Sequence, residues 1–477
     1  MTIKELYKLY QQHPCITTDS RDCPEGSIFL ALRGDRFDGN QFALKALEQG
    51  CAYAIVEKDL TTTMIGDLTT TMTTKTTGCA EKKLSQLSEL SSINKSELSS
   101  RIIVVDDCLQ TFKDLAREHR RQFQIPVIAI TGTNGKTTTK ELVAAELSKK
   151  YNVLYTQGNF NNDVGVPKTL LRLNADHDIA VIEMGASHPG DIRTLAETAE
   201  PTCGLITNVG RAHLEGFGSF KNVVKTKGEL YDFLGRRGES LVFINADNDR
   251  LVDILPDNVW VAPYSTNPEN VEGCTVGEVI SCTPFLNFRW RESDSNLEDR
   301  GEEPQWYEVQ TQLIGAYNVD NMLAAIAVGL NFGVEPAQIN EALMAYKPTN
   351  NRSQLTVTDH NRLIVDAYNA NPTSMRAALE NFRLMEGGPK MAILGMMGEL
   401  GKSSRKEHQK IVDFIGEIGL DEVWLVGSEF AAIDSPYRKF ADVDEVKAAI
   451  EANQPQGYHI LIKGSNSTRL FQLPELL

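Results

Sequence analysis

Residues 127–139 constrain the chain most. They read VIAITGTNGKTTT, an apolar run followed by a loop with Gly132 and Gly135 and then by Lys136 and three threonines. Helix-forming residues follow, so the segment predicts a buried parallel strand, a glycine loop and a helix N-terminus. Backbone N–H groups and the helix dipole bind phosphate at such a junction, and the lysine reaches the terminal phosphates. The segment therefore predicts a nucleotide site in which a threonine hydroxyl after the lysine can bind Mg²⁺.

The match to the common P-loop pattern is incomplete. Ile130 stands where that pattern has its first glycine, and the first glycine of this chain is Gly132. The alternative is a tight strand–helix turn with an ordinary solvated lysine. The strand, both glycines, Lys-Thr-Thr and the helix occur in the required order, which favours the phosphate site.

Composition limits the kinds of partner. The net charge of −16 argues against non-specific binding of nucleic acid or anionic membranes, which need basic faces. The eight cysteines form no CxxC pair, which indicates reduced thiols in a cytosolic protein. Neither a signal peptide nor an apolar run of about 18 residues is present, so we expect no membrane span and a cytoplasmic location.

The 477 residues predict about three domains of roughly 150 residues each. Residues 1–124 are predicted to form a small α/β domain, which contains a Thr- and Ser-rich low-complexity insertion at about 60–100. Residues 125–347 follow as a central P-loop nucleotide-binding α/β domain. In residues 348–477, strands and helices alternate, which predicts a C-terminal Rossmann-like, doubly wound α/β domain.

Several polar residues follow predicted strands, where α/β sheets bind ligands. Glu183 ends the buried run 179–182 and is either a Mg²⁺ ligand or a capping or salt-bridged carboxylate. His213 lies in the strand-to-loop unit 204–219 and is either structural or a metal or phosphate contact. Asp366 and Lys463 end two strands of the third domain and are expected at its ligand-binding edge.

Two helices carry further candidates. Lys227 lies on the amphipathic helix 222–234, where it either points into a nucleotide site or belongs to a solvated face. Asn318 and Asn321 lie near the start of the helical segment 315–334. Their amides can bind an adenine edge or cap the helix, and the spacing alone favours capping.

These segments together resemble the Mur ligase family. The loop TGTNGKTTT resembles that family's own P-loop, which also lacks the earlier glycine. The resemblance continues in order through GNFNNDVGVPKTLL, EMGASHPGDI, NVGRAHLEGFGS, KGELYDFL, GAYNVDNMLAA, NRSQ, DAYNANPTSM, LGMMGELG and IKGSNSTRL. It covers nearly the whole chain except the Thr/Ser-rich insertion.

The resemblance implies a ligase that uses ATP and Mg²⁺. Transfer of the γ-phosphoryl group to the carboxylate of UDP-N-acetylmuramoyl-tripeptide would make an acyl phosphate, which the amine of D-Ala-D-Ala would attack. The segment DAYNANPTSM favours this branch over the ligase that adds the third residue, which carries a DNPR-type segment. The reaction would be the last cytoplasmic step toward the peptidoglycan precursor UDP-MurNAc-pentapeptide, and we expect a monomer that closes its domains around three ligands.

The resemblance also implies nucleotide and metal roles at the matching positions. Lys136 would contact the β- and γ-phosphates, Thr137 the first Mg²⁺, and Glu183 and His213 a second Mg²⁺. Lys227 matches a lysine that is carbamylated in several family members. Asn318 would contact adenine, Arg352 the phosphates and Asp366 the ribose. The loop residues implied in nucleotide binding are Gly132, Thr133, Asn134, Gly135, Lys136, Thr137 and Thr138.

Substrate roles follow in the same way. Ser20 and Arg21 would help to bind the UDP-sugar, together with the loop of Phe37, Asp38 and Gly39, where Asn40 replaces the histidine expected in the family. The residues implied on the peptide side are Asn159 and Asn162, and those implied around the incoming dipeptide are Tyr368, Asn369 and Asn371.

Two other functions compete with this interpretation. Folylpolyglutamate synthetase is an amide ligase with the same central domain, but it would not explain a UDP-sugar-type domain before the P-loop. An ATP-gated binding module or a P-loop kinase would turn over ATP independently of D-Ala-D-Ala.

Overall fold

The computed structural model describes residues 1–34, 37–58, 100–267, 269, 273–293, 304–348 and 354–477. The chain divides into two compact units. The first is Met1–Gln124 with Asp163–Leu173, and the second is Ile125–Asn162 with Asn174–Leu477. The low-complexity insertion predicted at about 60–100 and the candidate Arg352 lie outside the described residues, apart from Ser100 at the insertion's end.

Helices and strands alternate along most of the chain. In chain order the helices are α1 (Ile3–Gln12), α2 (Ala43–Glu48), α3 (Cys108–Arg120), α4 (Lys136–Leu147), α5 (Gly165–Leu170), α6 (Asp191–Ala199), α7 (Leu214–Phe217), α8 (Phe220–Arg237), α9 (Asp249–Val252), α10 (Val319–Asn331), α11 (Pro336–Ala345), α12 (Pro372–Leu384), α13 (Ser404–Ile418), α14 (Ser428–Ala431) and α15 (Val443–Ala452). The strands are β1 (Ile16–Thr17), β2 (Ile28–Leu30), β3 (Arg33–Gly34), β4 (Phe37–Asp38), β5 (Tyr53–Glu57), β6 (Ile102–Val105), β7 (Val127–Thr131), β8 (Val153–Tyr155), β9 (Ile179–Glu183), β10 (Cys203–Ile206), β11 (Leu241–Asn245), β12 (Trp260–Ser265), β13 (Thr275–Cys282), β14 (Phe285–Glu292), β15 (Tyr307–Ile314), β16 (Gln354–Val357), β17 (Arg362–Asp366), β18 (Lys390–Gly395), β19 (Glu422–Val426), β20 (Arg438–Phe440) and β21 (His459–Lys463).

The first unit is built on a parallel sheet with the strand order β1-β2-β5-β6. Phe29 and Phe112 belong to its buried core, to which α1 and α3 contribute their apolar faces. The short helix α5 returns to this unit from later in the chain. Its attachment uses the buried His119, whose Nδ1 lies 3.1 Å from the Tyr7 hydroxyl and whose Nε2 lies 2.9 Å from the Leu173 carbonyl oxygen.

The second unit contains a nine-stranded sheet with the order β15-β14-β13-β12-β11-β10-β7-β9-β8. The strands from β8 to β13 in this order pair in parallel, and β13, β14 and β15 pair antiparallel at one edge. All five residues of β7 are buried, as a strand covered on both faces requires. The P-loop strand therefore lies well inside the sheet, and its carboxyl end opens toward α4.

A six-stranded sheet follows in the same unit, with the order β16-β17-β21-β18-β19-β20. Only its edge strand β16 is antiparallel. One face packs against α12 and α13 through residues such as Phe382 and Ile411, and the other face packs against α15 through Val446. Helices on both faces of a mostly parallel sheet confirm the predicted doubly wound α/β fold. Leu214 and Phe217 of α7 join the first of these cores, so the two sheets share packing.

The buried carboxyl group of Glu146 on α4 should make the stability of the fold depend on pH. Its side chain is fully buried, and neither carboxylate oxygen has a hydrogen-bond partner among the described residues. Burial raises the pKa of Glu146 well above its ordinary value of 4.5. The folded state therefore holds this proton to a higher pH than the unfolded state, so stability falls as the pH rises above 4.5, by at most about 1.4 kcal/mol per pH unit.

We expect Glu146→Gln to remove this pH dependence and to raise the urea midpoint at pH 7–8 relative to the parent chain. Unfolding midpoints measured at pH 5, 6, 7 and 8 test the expectation. Glu341→Gln is the matched control, because Glu341 forms an exposed ion pair with Lys149 at 2.9 Å and should change the midpoint little at any pH. A parent and a Glu146→Gln variant with parallel pH profiles would contradict the assignment.

Candidate active site

The two glycines of the loop between β7 and α4 are required by geometry. Gly132 has φ of 141° and Gly135 has φ of 81°, both in the region that side chains disfavour. A Cβ atom would also collide with the Thr207 hydroxyl at the first position and with the Asn321 amide oxygen at the second. Gly135 is the N-cap of α4, so the backbone turns directly into the first turn of the helix. The strand, loop and helix predicted from residues 127–139 are thus confirmed.

The loop is held by Asn208, which lies just after the neighbouring strand β10. The backbone N–H of Thr133 donates to the Asn208 carbonyl oxygen at 2.9 Å, and that of Asn134 donates to the Asn208 side chain at 3.0 Å. Lys136 begins α4, and its Nζ donates to the carbonyl oxygens of Gly132 at 2.9 Å and Thr133 at 3.1 Å. The ammonium group therefore already lies over the loop, where a bound phosphate would meet it.

Glu183 forms a buried polar cluster at the end of β9. One carboxylate oxygen accepts from the Thr137 hydroxyl at 3.2 Å and from the Asn161 side-chain amide at 2.8 Å. The other oxygen is buried and has no hydrogen-bond partner among the described residues, although the side chain is only 1% exposed. An unpaired carboxylate oxygen beside a P-loop threonine is a group that could bind a divalent cation.

Lys227 lies behind this cluster on α8. Its side chain is 2% exposed, whereas Lys225 two residues earlier faces solvent. Burial lowers the pKa of Lys227 well below its ordinary value, and the nearby charge of Lys136 lowers it further. The solvated-face alternative for Lys227 is therefore wrong. The carboxylates of Asp191, Glu229 and Glu183 oppose this shift, because their negative charges raise the pKa of Lys227.

His213 lies where the P-loop half of the unit meets the six-stranded half. Its Nδ1 contacts the carboxylate of Glu399, which belongs to the loop after β18. This hydrogen bond lowers the pKa of Glu399 below its ordinary value, although burial opposes the shift. The contact joins residues 186 positions apart, and the sequence patterns did not predict it.

The polar residues at the start of α10 form a second wall. Asn318 donates to the Ile314 carbonyl oxygen at 2.9 Å and accepts from Asn321 at 2.8 Å. Asn318 makes no side-chain capping bond to α10, so the capping role favoured by spacing is wrong. Burial raises the pKa of Asp320 to about 6, and the nearby charge of Asp247 adds to the shift.

The edge of the six-stranded sheet supplies the facing wall. Asp366 ends β17, and one of its carboxylate oxygens accepts from Lys463 Nζ of the adjacent strand β21 at 2.5 Å. Asn371, by contrast, is used structurally. Its oxygen accepts from the Ser374 backbone N–H at 2.9 Å, and its amide donates to the Asn134 side chain at 2.7 Å. Asn371 therefore caps α12 and joins that helix to the P-loop.

One cleft of about 760 Å³ collects most of these groups in the second unit. Gly132, Lys227 and Asn371 lie outside the described lining of this cleft. The sequence-predicted residues that line it are Thr133, Asn134, Gly135, Lys136, Thr137, Thr138, Asn159, Asn162, Glu183, His213, Asn318, Asn321, Asp366, Tyr368, Asn369 and Lys463. Asn161, Asn208 and Glu399 also line it but were not singled out from the sequence.

The candidates for UDP-sugar binding lie in the first unit. Ser20 and Arg21 follow β1, and the exposed Arg21 guanidinium pairs with Asp19 at 2.7 Å. Phe37 is 59% exposed on the short strand β4, and Gly39 follows in a tight turn.

Asp38 shapes that turn together with Asn40. The Asp38 carboxylate accepts from the Asn40 backbone N–H at 3.0 Å and from its side-chain amide at 2.7 Å. The buried Asn40 also accepts from the Glu57 backbone N–H at 2.9 Å. The asparagine found in place of the expected histidine therefore fixes the loop to β5.

The described residues set two limits on the site. In the described ranges, no three histidine, cysteine or acidic side chains converge in a way that could hold a metal by themselves. Magnesium sites in phosphoryl-transfer enzymes commonly use one or two carboxylates and complete the shell with phosphates and water, so the Glu183 cluster remains compatible with Mg²⁺. None of the described helices has the length and apolarity needed to span a membrane.

Comparison with known families gives consistent matches in all three parts of the chain. Residues 14–84 match the Mur ligase family catalytic domain, residues 130–329 the Mur ligase middle domain and residues 351–466 the Mur ligase glutamate ligase domain.

Similar proteins match over nearly the full length. The UDP-N-acetylmuramoyl-tripeptide–D-alanyl-D-alanine ligases of Escherichia coli (strain K12) and Bacillus subtilis (strain 168) are 32% and 30% identical to this chain, and the alignments cover 97% and 96% of it and 93% and 92% of those proteins. The solved structure of MurF from Acinetobacter baumannii superposes with a TM-score of 0.80 at 29% identity, covering 99% of this chain and 97% of that one. MurF from Thermotoga maritima in complex with ADP gives 0.78 at 25% identity, covering 97% and 96%. The chain belongs to the Mur ligase family, in the branch of the UDP-N-acetylmuramoyl-tripeptide–D-alanyl-D-alanine ligases.

Proposed function

We propose that this chain joins D-Ala-D-Ala to UDP-N-acetylmuramoyl-tripeptide and converts ATP to ADP and phosphate. The observation that carries the proposal is the single cleft in which a P-loop, a buried carboxylate cluster and the edge of a second α/β sheet face one another. The full-length similarity to ligases named for this reaction supports the choice of substrates. The scattered free thiols in the described residues support a cytoplasmic location.

The chemistry needs an activated carboxylate. A peptide carboxylate is a poor electrophile, so transfer of the γ-phosphoryl group from ATP makes an acyl phosphate with a good leaving group. The amine of D-Ala-D-Ala attacks the acyl carbon, the C–O bond to phosphate breaks, and the amine loses a proton. The loop N–H groups between Gly132 and Lys136 and the Lys136 ammonium would stabilise the charge that develops on the transferred phosphoryl group.

Mg²⁺ fits the residues at the end of β9. Thr137 would hold one ion through its hydroxyl, and Glu183 and His213 would contribute to a second. The unpaired buried oxygen of Glu183 is the observation that supports this assignment. Bound Mg²⁺ would supply charge neutralisation on the phosphate oxygens.

We propose that Lys227 contributes to the Mg²⁺ site at the end of β9. Its buried side chain and its lowered pKa favour the neutral amine, which is the form that reacts with CO₂ to give a carbamate. A carbamate at this position would place a negative charge behind Glu183 and toward the cation. Intact-protein mass measured with and without bicarbonate would detect the modification.

The remaining candidates are assigned to the other ligands. We propose that Asn318 and Asp366 contact the adenosine moiety, and that Tyr368 and Asn369 bind the dipeptide. The loops carrying Ser20, Arg21 and Phe37–Asp38 would bind the UDP-sugar. Asn371 would act through its contact with Asn134, because its own polar atoms are already hydrogen-bonded.

Phosphate release with and without the dipeptide tests this function. The assay contains ATP, Mg²⁺ and a UDP-tripeptide, prepared once with lysine and once with diaminopimelate as the third residue. We expect release to depend on D-Ala-D-Ala with at least one tripeptide, and the product mass to increase by one dipeptide less one water. Release that ignores the dipeptide, or release without an amide product, would instead favour a kinase or an ATP-gated module.

A further inference from the structure

The loop after β18 carries Glu399 directly against His213. Besides the side-chain contact, the Glu215 backbone N–H donates to the Glu399 carbonyl oxygen at 3.1 Å. A Cβ atom on Gly401 would lie 3.2 Å from the Glu215 Cβ, so the loop packs closely against the first turn of α7. Three separate contacts therefore fix the Glu399 loop on the turn that presents His213.

Both partners hold an unusual backbone conformation. His213 has φ of 49° and Glu399 has φ of 59°, in the left-handed region that residues other than glycine rarely adopt. Such conformations cost free energy and persist where the surrounding structure enforces them, and they concentrate at functional sites. Here the two meet each other across the boundary between the two sheets of the second unit.

The Glu399 loop is hydrogen-bonded to α13 and to the segment that follows β21, both of which belong to the six-stranded half of the unit. The backbone N–H of Met397 donates to His408 Nε2 at 3.0 Å, and that of Gly398 donates to the Ser465 hydroxyl at 3.0 Å. The Ser465 hydroxyl in turn donates to the Met396 carbonyl oxygen at 2.9 Å. The position of the Glu399 carboxylate therefore follows the position of the whole C-terminal sheet.

A carboxylate acceptor at Nδ1 fixes the chemistry of the imidazole. The ionised carboxylate can only accept a hydrogen bond, so Nδ1 must carry the proton. In the neutral imidazole Nε2 then keeps its lone pair, which is the arrangement of a histidine oriented by a carboxylate to bind a metal or a polar ligand. His213 lines the same cleft as Glu183 and Lys136, so the oriented ring belongs to the candidate active site.

We propose that Glu399 is a positioning residue for His213, which it holds in the Nδ1–H tautomer only while the C-terminal sheet is docked. The role of His213 in this inference rests on the proposed function. The new element is that docking of the C-terminal sheet completes the site by supplying the Glu399 carboxylate. A retracted C-terminal sheet would leave His213 without its acceptor and free to rotate or change tautomer.

The first test reads the tautomer without any turnover. In protein labelled with ¹⁵N-histidine and free of metal and nucleotide, we expect the parent chain to show His213 as the Nδ1–H form at pH 7.5, with the signal assigned by its loss in His213→Ala. In Glu399→Ala the signal should become a mixture of tautomers. In the control Glu417→Gln, at an exposed position near the end of α13, the signal should stay unchanged. An unchanged His213 spectrum in Glu399→Ala would overturn the proposal.

The second test measures whether substitutions of Glu399 and His213 affect ligation through the same interaction. We expect Glu399→Ala to raise the Mg²⁺ concentration for half-maximal ligation about tenfold, as is typical when a partner of a metal-binding histidine is lost, with little change in the KM for the UDP-tripeptide. The variant His213→Ala/Glu399→Ala should be no worse than His213→Ala alone. Losses that multiply in the double variant would overturn the proposal. A parent chain that fails to ligate contradicts the proposed function, whereas the tautomer experiment still decides the role of Glu399.

Discussion

Lys136→Ala is expected to lower kcat for ligation by about 10²–10³-fold, equivalent to ~3–4 kcal/mol of transition-state stabilisation. The physical reason is that the ammonium lies over the loop carbonyl groups at 2.9 and 3.1 Å, where it meets the phosphate whose charge develops during transfer. The fold should be unaffected, because the ammonium group donates to carbonyl oxygens of its own loop, which water can then bind. Initial rates of amide formation and of phosphate release, measured on the same samples as the far-UV circular dichroism, give both quantities.

Lys225→Ala is the matched control for charge. Lys225 also lies in the nucleotide half of the chain, but its side chain faces solvent on α8. The control should retain the parent rate. If Lys136→Ala kept its activity while the control behaved as expected, the P-loop would have no part in the reaction and the proposed mechanism would fail.

Local sequence patterns predicted much of the architecture correctly. The apolar run at the start of residues 127–139 appears as the fully buried β7, and the predicted amphipathic helix 222–234 lies within α8. Periodicity works here because each segment has one burial pattern, continuous in an interior strand and every three to four residues in a surface helix. The antiparallel strands β13–β15 were not predicted, since their pairing is set by contacts outside each segment.

Local sequence patterns could not predict contacts between distant segments. Asn371 joins Asn134 across 237 positions, and His213 joins Glu399 across 186. Each of these side chains looked like an independent polar residue after a strand, and only the folded chain pairs them. The segment Asp163–Leu173 shows the same limit, because it lies between two parts of the second unit in sequence but packs with the first unit. The predicted domain limits at 124 and 347 stay predictions.

Glu183→Gln is expected to be the second large loss, about 10²–10³-fold in kcat, with a higher Mg²⁺ requirement. The substitution keeps the shape of the side chain and an oxygen that can accept from Thr137 and Asn161, but it removes the negative charge. Its amide nitrogen would replace the unpaired buried oxygen and point a donor at the proposed cation position. A titration of ligation rate against Mg²⁺ at saturating ATP separates weaker cation binding from a lower limiting rate.

The thermal midpoint of the Glu183→Gln variant decides whether its loss of activity reflects a catalytic role or a structural one. In the metal-free chain the Glu183 carboxylate is buried at 1% exposure with one oxygen unpaired, so neutralising it should leave the thermal midpoint unchanged or higher. Glu197→Gln, at an exposed position on α6, controls for the loss of one carboxylate and should change neither rate nor midpoint. A Glu183→Gln variant that is inactive but less stable would place the carboxylate among the structural residues. Lost activity with retained or increased stability is the result expected of a group kept for catalysis at a cost in stability.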